Sequence, residues 1–175
     1  WNSSAEESQR AELVSTVWDA TEGQDIVLFG ASELIRVADR SVSPKTIRAY
    51  ANRGLAGIDG TVSTALGLAQ TGARVRAVVG DLTLLHDAGG LNLSGLGELN
   101  CQLIVGNDHG GKIFSHLEMA TLIDAEDFEL LFTTPQQVDF EALATAYGWQ
   151  YFKTTSSGLK DLMGKEGFVL IEVEL

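Results

Sequence analysis

Short runs of consecutive apolar residues recur along the chain, with turn-forming residues after them. The clearest runs are Asp25–Gly30, Arg74–Val79, Cys101–Val105 and Phe168–Val173. Asp25–Gly30 is a continuous apolar run that ends in glycine, which is typical of a strand buried on both faces of a parallel sheet. Weaker patterns predict two further strands, at Ile47–Ala51 and Trp149–Lys153.

Stretches with helical spacing lie between these strands. The first, residues 6–20, is predicted to be an amphipathic helix because one stripe contains Leu13, Val14, Val17 and Trp18. Ser32 is a candidate N-cap for the next helix. The remaining predicted helices occupy 33–39, 62–70, part of 82–99, 139–147 and 156–163. Strands that alternate with helices predict a three-layer α/β/α fold with a mainly parallel sheet.

The length and composition are those of one soluble globular domain. A chain of 175 residues can bury about 70% of its unfolded surface. Its residues are 45% hydrophobic and 21% charged, so we assign residues 1–175 to a single domain. No apolar run approaches the roughly 20 residues that span a bilayer. Because the chain opens with Trp1 instead of Met, we expect it to be a fragment of a longer polypeptide.

The net charge limits which partners the protein can bind, and the cysteine content indicates its cellular compartment. A formal net charge of −12 argues against nucleic acid, whose phosphates such a surface would repel. An anionic ligand would therefore need a site where basic side chains outweigh this overall negative charge. Cys101 is the single cysteine and lies in an apolar run. We expect it to be a buried strand residue of a protein from a reducing compartment, the cytoplasm.

Four loops occupy the positions where a parallel α/β sheet binds its ligands. These positions are the carboxyl ends of the strands, where loops meet helix N-termini. Every unusual cluster in the sequence falls in one of the four loops, Gly30–Ser32, Asn52–Gly60, Gly80–Leu82 and Gly106–Gly111. This coincidence predicts a binding site at the carboxyl edge of the sheet.

Two of these loops contain an aspartate, Asp81 in one and Asp108 in the other. Carboxylates at the ends of neighbouring strands can share a hard cation, with carbonyl, water and phosphate oxygens as further ligands. Glycines at 106, 110 and 111 let the backbone approach a ligand, and a helix that starts at Asp81 favours phosphate. Either aspartate alone is more often a turn or cap residue. The pair favours a metal–phosphate site.

Basic and imidazole side chains near these loops are weaker candidates. Arg36 and Arg53 could bind substrate carboxylates, although a lone arginine is more often a solvated surface residue. None of the three histidines has a zinc-ligand spacing in the sequence, so zinc is not expected. His109, inside the glycine loop, is retained as a residue adjacent to the site.

Several of these segments resemble those of thiamine-diphosphate enzymes. Gly80-Asp81-Leu82 and Asn107-Asp108 resemble their two-part metal–diphosphate motif, and the separation of the aspartates matches it. The segment at 52–64, NRGLAGIDGTVST, is more specific. It is similar to the signature of the 2-succinyl-5-enolpyruvyl-6-hydroxy-3-cyclohexene-1-carboxylate (SEPHCHC) synthases. GDLTLLHD at 80–87 and NDHGGKIFS at 107–115 agree with the same family.

The resemblance implies a thiamine-diphosphate-binding fold and roles for individual residues. The divalent metal, Mg²⁺ or Mn²⁺, would be held by Asp81, Asp108 and the carbonyl of Gly110. The cofactor would be lined by Ser32, Gly80 and Leu82 and propped into a bent conformation by Ile58. Substrate contacts would come from Arg36, Arg53, Ile113 and Phe114.

Two positions depart from the wider superfamily, which usually has Gly at Leu82 and Asn at Asp108. The extra negative charge of Asp108 should attract the metal more strongly, but it should also repel the diphosphate more.

The resemblance also implies an activity for the full-length protein. Such a transferase decarboxylates 2-oxoglutarate and adds the succinyl unit to isochorismate, in menaquinone biosynthesis. The glutamate that activates the cofactor lies on a separate N-terminal domain, usually of the partner subunit, and no residue of this chain is assigned a catalytic role. We therefore expect this domain alone to fold but not to catalyse, and the full-length protein to be a homodimer or tetramer.

The residues leave two other functions open. A carboligase or decarboxylase of the acetolactate-synthase kind would share the metal–diphosphate motif, although the 52–64 segment argues against it. A non-catalytic α/β module, such as a receiver domain, also holds Mg²⁺ between aspartates. That module would show no preference for thiamine diphosphate.

Overall fold

A six-stranded sheet forms the centre of the chain, which a computed structural model describes over residues 4–52, 54–116 and 118–175. The strands are β1 (Ile26–Phe29), β2 (Arg48–Ala51), β3 (Val75–Gly80), β4 (Cys101–Asn107), β5 (Gln150–Thr155) and β6 (Phe168–Glu174). All neighbouring strands are parallel, in the order β2-β1-β3-β4-β6-β5. The six predicted strands are therefore confirmed, with ends that differ by one or two residues.

Helices connect the strands over the two faces of the sheet. They are α1 (Ser4–Ala20), α2 (Glu33–Ser41), α3 (Thr61–Ala69), α4 (Asp81–His86), α5 (Ala125–Phe128) and α6 (Phe140–Ala146). Short 3₁₀ turns occupy Ala88–Leu91, Lys112–His116, Glu118–Thr121 and Leu159–Leu162, and a single π-turn spans Glu129–Thr133. No helix in the described part of the chain has the length and apolar character that crossing a bilayer requires.

Two predicted helices are shorter than expected. The stretch 82–99 is helical only to His86 and then forms the 3₁₀ turn Ala88–Leu91. The stretch 156–163 forms only the 3₁₀ turn Leu159–Leu162. Glycines at 89, 90, 158 and 164 explain both results. Each glycine costs about 1 kcal/mol in a helix, and the residues between them are too few to offset helix nucleation.

Successive strand residues point into two separate apolar cores. On one face, Leu28, Ala77 and Leu103 pack with residues of α3 and α6. On the other face, Val27, Val78 and Ile104 pack with α1 and α2. The predicted α1 stripe lies in this second core, where Leu13, Val14 and Val17 are fully buried. Burial on both faces explains why the strand segments are mostly apolar, and it confirms the three-layer α/β/α prediction.

Cys101 lies at the start of β4, fully buried in the first core. Burial raises the pKa of its thiol to about 12 because the thiolate would lose its hydration. The prediction of a buried strand cysteine is confirmed.

Candidate functional site

The chain order opens a crevice at the carboxyl edge of the sheet. From β1 the chain runs outward to β2, and it then crosses back to β3 on the other side of β1. Loops that leave a sheet in opposite directions in this way create a ligand-binding crevice. Gly80 at the end of β3 pairs in register with Gly106 in β4, so the loops that follow these strands begin at the same level.

A pocket of about 380 Å³ occupies this crevice. Among the described residues, every residue predicted to bind metal, cofactor or substrate lines it: Ser32, Arg36, Ile58, Gly80, Asp81, Leu82, Asp108, Gly110, Ile113 and Phe114. Arg53 lies outside the described residues. His109 is exposed and does not line the pocket, whereas its neighbours do. The volume is that of a small-molecule or cofactor site.

Asp81 directly follows β3 as the first residue of α4, and it is 2% exposed. Its Oδ1 accepts a hydrogen bond from the backbone amide of Leu82 at 2.8 Å. Its Oδ2 accepts one from Gln136 Nε2, also at 2.8 Å. Burial raises the pKa of this carboxyl and nearby Asp108 raises it further, against the lowering effect of Gln136 and of backbone groups of Leu82 and Gly110. Asp81 is therefore a buried acid with a second acid close by.

Asp108, just past β4, is paired with an arginine of the first helix, 98 positions earlier in the chain. Arg10 Nη2 on α1 donates to Asp108 Oδ2 at 2.7 Å, and the Arg10 side chain is 3% exposed. Burial raises the pKa of Asp108, and the hydrogen bond and charge of Arg10, together with the charge of Lys112, oppose that rise. Arg10 thus offsets part of the negative charge that the two aspartates bring into the pocket.

The glycine loop that follows β4 has a backbone that only glycine accommodates easily. Gly110 has a φ of +144°, and a Cβ there would lie 2.6 Å from the carbonyl oxygen of Thr133. Gly111 donates its amide to the same carbonyl at 2.6 Å. The π-turn segment therefore packs directly on the loop, and the sequence meets this close approach with two adjacent glycines.

Gln136 and Arg10 both contact the aspartates of the site, and sequence reasoning missed both. Gln136 Nε2 donates to Asp81 Oδ2 at 2.8 Å and to Asn107 Oδ1 at 3.1 Å, so it links the ends of β3 and β4. The residue stands in an irregular segment with no motif. Arg10 is one arginine on a helix whose apolar stripe was predicted correctly. Neither position carries a local signal that could have identified it.

A buried polar chain continues from the site into the sheet. Asn107 Nδ2 donates to Glu172 Oε1 at 2.9 Å, and the hydroxyl of Tyr151 donates to Glu172 Oε2 at 2.5 Å. Burial, and after it the neighbouring Glu172, raise the pKa of Tyr151 above its ordinary value. Hydrogen bonds thereby connect Asp81, through Gln136 and Asn107, to strands β6 and β5.

The donor set of the pocket fits a hard divalent cation that is shared with a ligand. Among the residues that the structure describes, no group of three or more His, Cys, Asp or Glu side chains could hold a metal. Asp81 and Asp108 supply two carboxylates, so further oxygens would have to come from carbonyls, water or a phosphate. A cation between them would stabilise the ionised carboxylates, and it would thereby oppose the desolvation and repulsion that raise the pKa of Asp81.

The pocket also contains the basic side chains that an anionic ligand needs in so acidic a protein. Arg10, Arg36 and Lys112 all line it, although the protein carries a net charge of −12. Arg36 Nη1 donates to the carbonyl of Ser32 at 2.7 Å, which holds the guanidinium beside the loop after β1. Ser32 occupies the N-cap position of α2 as predicted, but its side chain makes no capping hydrogen bond.

Apolar side chains form another part of the pocket wall. Ile58, Leu82 and Ile113 are half-buried there, and Phe114 is 39% exposed. The Phe114 ring meets the Phe132 ring edge-on, with 6.1 Å between centroids. The pocket therefore combines carboxylates, basic groups and an apolar wall, as a ligand with a charged end and an organic ring would require.

Comparisons with known proteins agree with this geometry. The family described as "Thiamine pyrophosphate enzyme, C-terminal TPP binding domain" matches residues 31–173. A crystal structure of benzoylformate decarboxylase from Polynucleobacter necessarius superposes with a TM-score of 0.77 at 16% identity. That superposition covers 94% of this chain and 32% of the other, and at such low identity it shows the fold.

Curated relatives are similar in sequence over most of the chain. The SEPHCHC synthase of Clavibacter michiganensis subsp. michiganensis is 48% identical over 160 residues, which are 85% of this chain and 27% of that protein. The corresponding synthase of Leifsonia xyli subsp. xyli is 46% identical over 165 residues, or 87% of this chain and 28% of the relative. The chain thus spans about a quarter of the length of these relatives.

Proposed function

Because the chain belongs to the family of C-terminal TPP-binding domains of thiamine pyrophosphate enzymes, we propose that its pocket binds the diphosphate end of thiamine diphosphate through a divalent cation. One observation carries the proposal. Asp81 and Asp108 follow neighbouring strands and line the same pocket, where burial raises the pKa of both carboxyls. Two such carboxyls beside basic groups suit a cation that is in turn bound by an anion.

The residues predicted to bind the metal and the cofactor keep those roles in this proposal. Asp81, Asp108 and the carbonyl of Gly110 hold Mg²⁺ or Mn²⁺. Backbone and side-chain atoms of Ser32, Gly80 and Leu82 line the cofactor, and Ile58 supports its bent shape. When bound, thiamine diphosphate supplies a carbon centre that accepts the electrons released by decarboxylation. The chain positions that centre and shields it from water with its apolar wall.

For the full-length enzyme we propose SEPHCHC synthase activity, in which 2-oxoglutarate is decarboxylated and the succinyl unit is added to isochorismate. The names of relatives at 48% and 46% identity support this assignment. Both substrates carry carboxylates, which Arg36 and Arg53 bind in our proposal, while Ile113 and Phe114 contact their apolar parts. The activating glutamate comes from another domain, and the enzyme works as a homo-oligomer in the cytoplasm.

Calorimetry and a product assay on the full-length polypeptide test this function. We expect thiamine diphosphate to bind only with Mg²⁺ or Mn²⁺ present, and SEPHCHC to form from 2-oxoglutarate and isochorismate. Acetolactate formed from pyruvate in its place would support the alternative carboligase. Metal binding with no measurable affinity for thiamine diphosphate would support a non-catalytic module and overturn the proposal.

The proposed substrate role of Arg36 has a matched control on the same helix. Losing a hydrogen bond to a charged group costs about 1.5–3 kcal/mol, so Arg36→Ala should lower kcat/KM about ten- to hundredfold. Arg40→Ala should leave it nearly unchanged, because Arg40 pairs with Glu33 at 3.0 Å and does not line the pocket. Cofactor affinity should be unchanged in both variants. Weakened thiamine-diphosphate binding with normal substrate kinetics would instead make Arg36 a cofactor residue.

A further inference from the structure

Arg10 reaches the candidate metal site from α1, which precedes the matched segment 31–173. Its Nη2 lies 2.7 Å from Asp108 Oδ2, across 98 positions of the chain. The two side chains are 3% and 17% exposed, and both line the pocket. An ion pair with so little exposure is screened weakly by solvent and salt.

The position of Arg10 is set by the core beneath α1. Leu13 and Val14 lie three and four residues further along, so they share the face of the helix that carries Arg10. Both are fully buried in the core cluster that includes Val27 and Ile104 of the sheet. The guanidinium is therefore presented from a rigid helix, and it can hold the Asp108 carboxylate in one orientation.

Charge gives the pair a second consequence. The pocket contains two carboxylates, and in the proposed function it must also accept a diphosphate. A divalent cation offsets the two carboxylates, so the attraction for an anionic ligand depends on the basic side chains of the pocket. A buried guanidinium on Asp108 adds to that attraction.

We infer that Arg10 is a positioning residue of the metal–diphosphate site: it orients Asp108 through Oδ2 and offsets its negative charge. The inference rests on the proposed function, because it assigns Arg10 a task towards the metal and the diphosphate. It also makes α1 a part of the binding site, not only a cover for the sheet.

The chain contains a matched pair that serves as a control. Arg76 Nη1 lies 2.6 Å from Asp25 Oδ2, with side chains that are 2% and 24% exposed. This pair lies at the amino end of the sheet, and neither residue lines the pocket. A purely structural ion pair at Arg10 would respond to substitution as the Arg76 pair does.

The test measures thiamine-diphosphate affinity by calorimetry at fixed Mg²⁺, Mg²⁺ affinity at fixed cofactor, and the unfolding midpoint. The proteins are the full-length polypeptide and its variants Arg10→Met, Asp108→Asn, Arg10→Met/Asp108→Asn and Arg76→Met. Arg10→Met should weaken cofactor binding about ten- to hundredfold, the usual effect of losing a charged hydrogen bond. Arg76→Met should lower the unfolding midpoint but change the Kd for the cofactor less than about twofold.

The double variant separates a role at the site from a role in folding. It removes both charges of the Arg10–Asp108 pair, so neither is left facing a lost partner, and it should fold even where Arg10→Met does not. If Arg10→Met does not fold, Arg10→Lys takes its place in the double-mutant cycle, because lysine keeps the positive charge but lacks the planar guanidinium. The change in cofactor Kd in the double variant should differ from the product of the two single-variant changes by at least about fivefold.

Additive effects on cofactor Kd, or equal effects of Arg10→Met and Arg76→Met, would overturn the role of Arg10. In that case a wild-type protein that still binds thiamine diphosphate would leave the proposed function intact. A wild type that does not bind it in Mg²⁺ would overturn the proposed function, and the inference with it.

Discussion

The two ends of the sheet hold similar buried groups that serve different purposes. At the amino end, Arg76 pairs with Asp25, and Gln102 Nε2 donates to the backbone carbonyls of Leu162, Met163 and Lys165. At the carboxyl end, Arg10 pairs with Asp108, and Gln136 Nε2 donates to Asp81 and Asn107. Each end thus has a buried arginine that pairs with an aspartate, and a glutamine that donates hydrogen bonds to neighbouring groups.

The ends differ in charge and in open space. At the amino end the buried Arg76 guanidinium faces the Asp25 carboxylate, and Gln102 donates to backbone carbonyls. The carboxyl end has a second carboxylate, Asp81, and a pocket of about 380 Å³. Burial and mutual repulsion raise the pKa of Asp81 there. A second buried carboxylate and an open pocket beside it distinguish this ligand site from a structural ion pair with the same residue types.

Breaking the amino-end pair should have the largest effect, and that effect should be on stability. Arg76→Met leaves the Asp25 carboxylate without its 2.6 Å partner. Removing one member of a buried pair costs about 3–5 kcal/mol of unfolding free energy. Denaturant unfolding measures this loss, and calorimetry should show unchanged thiamine-diphosphate affinity in the folded fraction. A large loss of affinity would show that the amino end also serves the site.

At the carboxyl end, Asp81→Asn should have the opposite effect: it should lower cofactor affinity and leave stability unchanged or higher. The variant loses an anionic metal ligand, so metal-dependent cofactor affinity should fall about 100-fold or more. The metal-free protein should be as stable as the wild type or more so, because a buried carboxyl with a raised pKa costs stability when ionised. Unfolding and calorimetry on the same samples check both statements. Unchanged dependence on cofactor concentration would exclude Asp81 as a metal ligand.

The two glutamines give a finer comparison. Gln136→Leu removes the amide that fixes Asp81 Oδ2, and losing such a supporting contact typically lowers metal affinity about tenfold. Gln102→Leu should leave metal affinity unchanged and lower stability, since its three carbonyl acceptors lose their donor. Mg²⁺ titrations at fixed cofactor distinguish the variants. Equal metal affinities in both would remove the proposed role of Gln136.

The smallest expected effect is on the pH dependence of stability. The pKa of Asp81 is raised above its usual 3.8 in the folded protein, so the folded state holds this proton more tightly than the unfolded state. Its contribution to stability should therefore decrease as the pH rises from about 3.8 through the raised pKa.

Melting curves of the metal-free wild type and Asp81→Asn across this range isolate that contribution. The wild type should lose stability relative to the variant as pH rises. Mg²⁺ with cofactor should stabilise the wild type increasingly at higher pH, because the metal binds the carboxylate form. Parallel curves for the two proteins without metal would contradict the raised pKa.

Much of the fold and part of the site could be predicted because their signals are local. Apolar runs such as Cys101–Val105 mark strands buried on both faces, whatever the rest of the chain does. Parallel strands bring their carboxyl ends to one edge, so the sequence alone predicts that Asp81 and Asp108 lie close together. Segment 52–64 carries its resemblance within thirteen consecutive residues. Helix lengths after His86 and around Gly158 were less predictable, because glycines compete with the apolar pattern.

Only the tertiary structure decided which polar side chains complete the site. Arg10 and Asp108 are 98 positions apart, and Gln136 and Asp81 are 55 apart. In sequence, Arg10 resembles Arg76 or Arg40, three arginines that the structure places at the pocket, at the amino end of the sheet and on the surface. Local patterns determine which face of an element is buried. The partner of a buried charge depends on how distant elements pack, and that packing is set by the whole core.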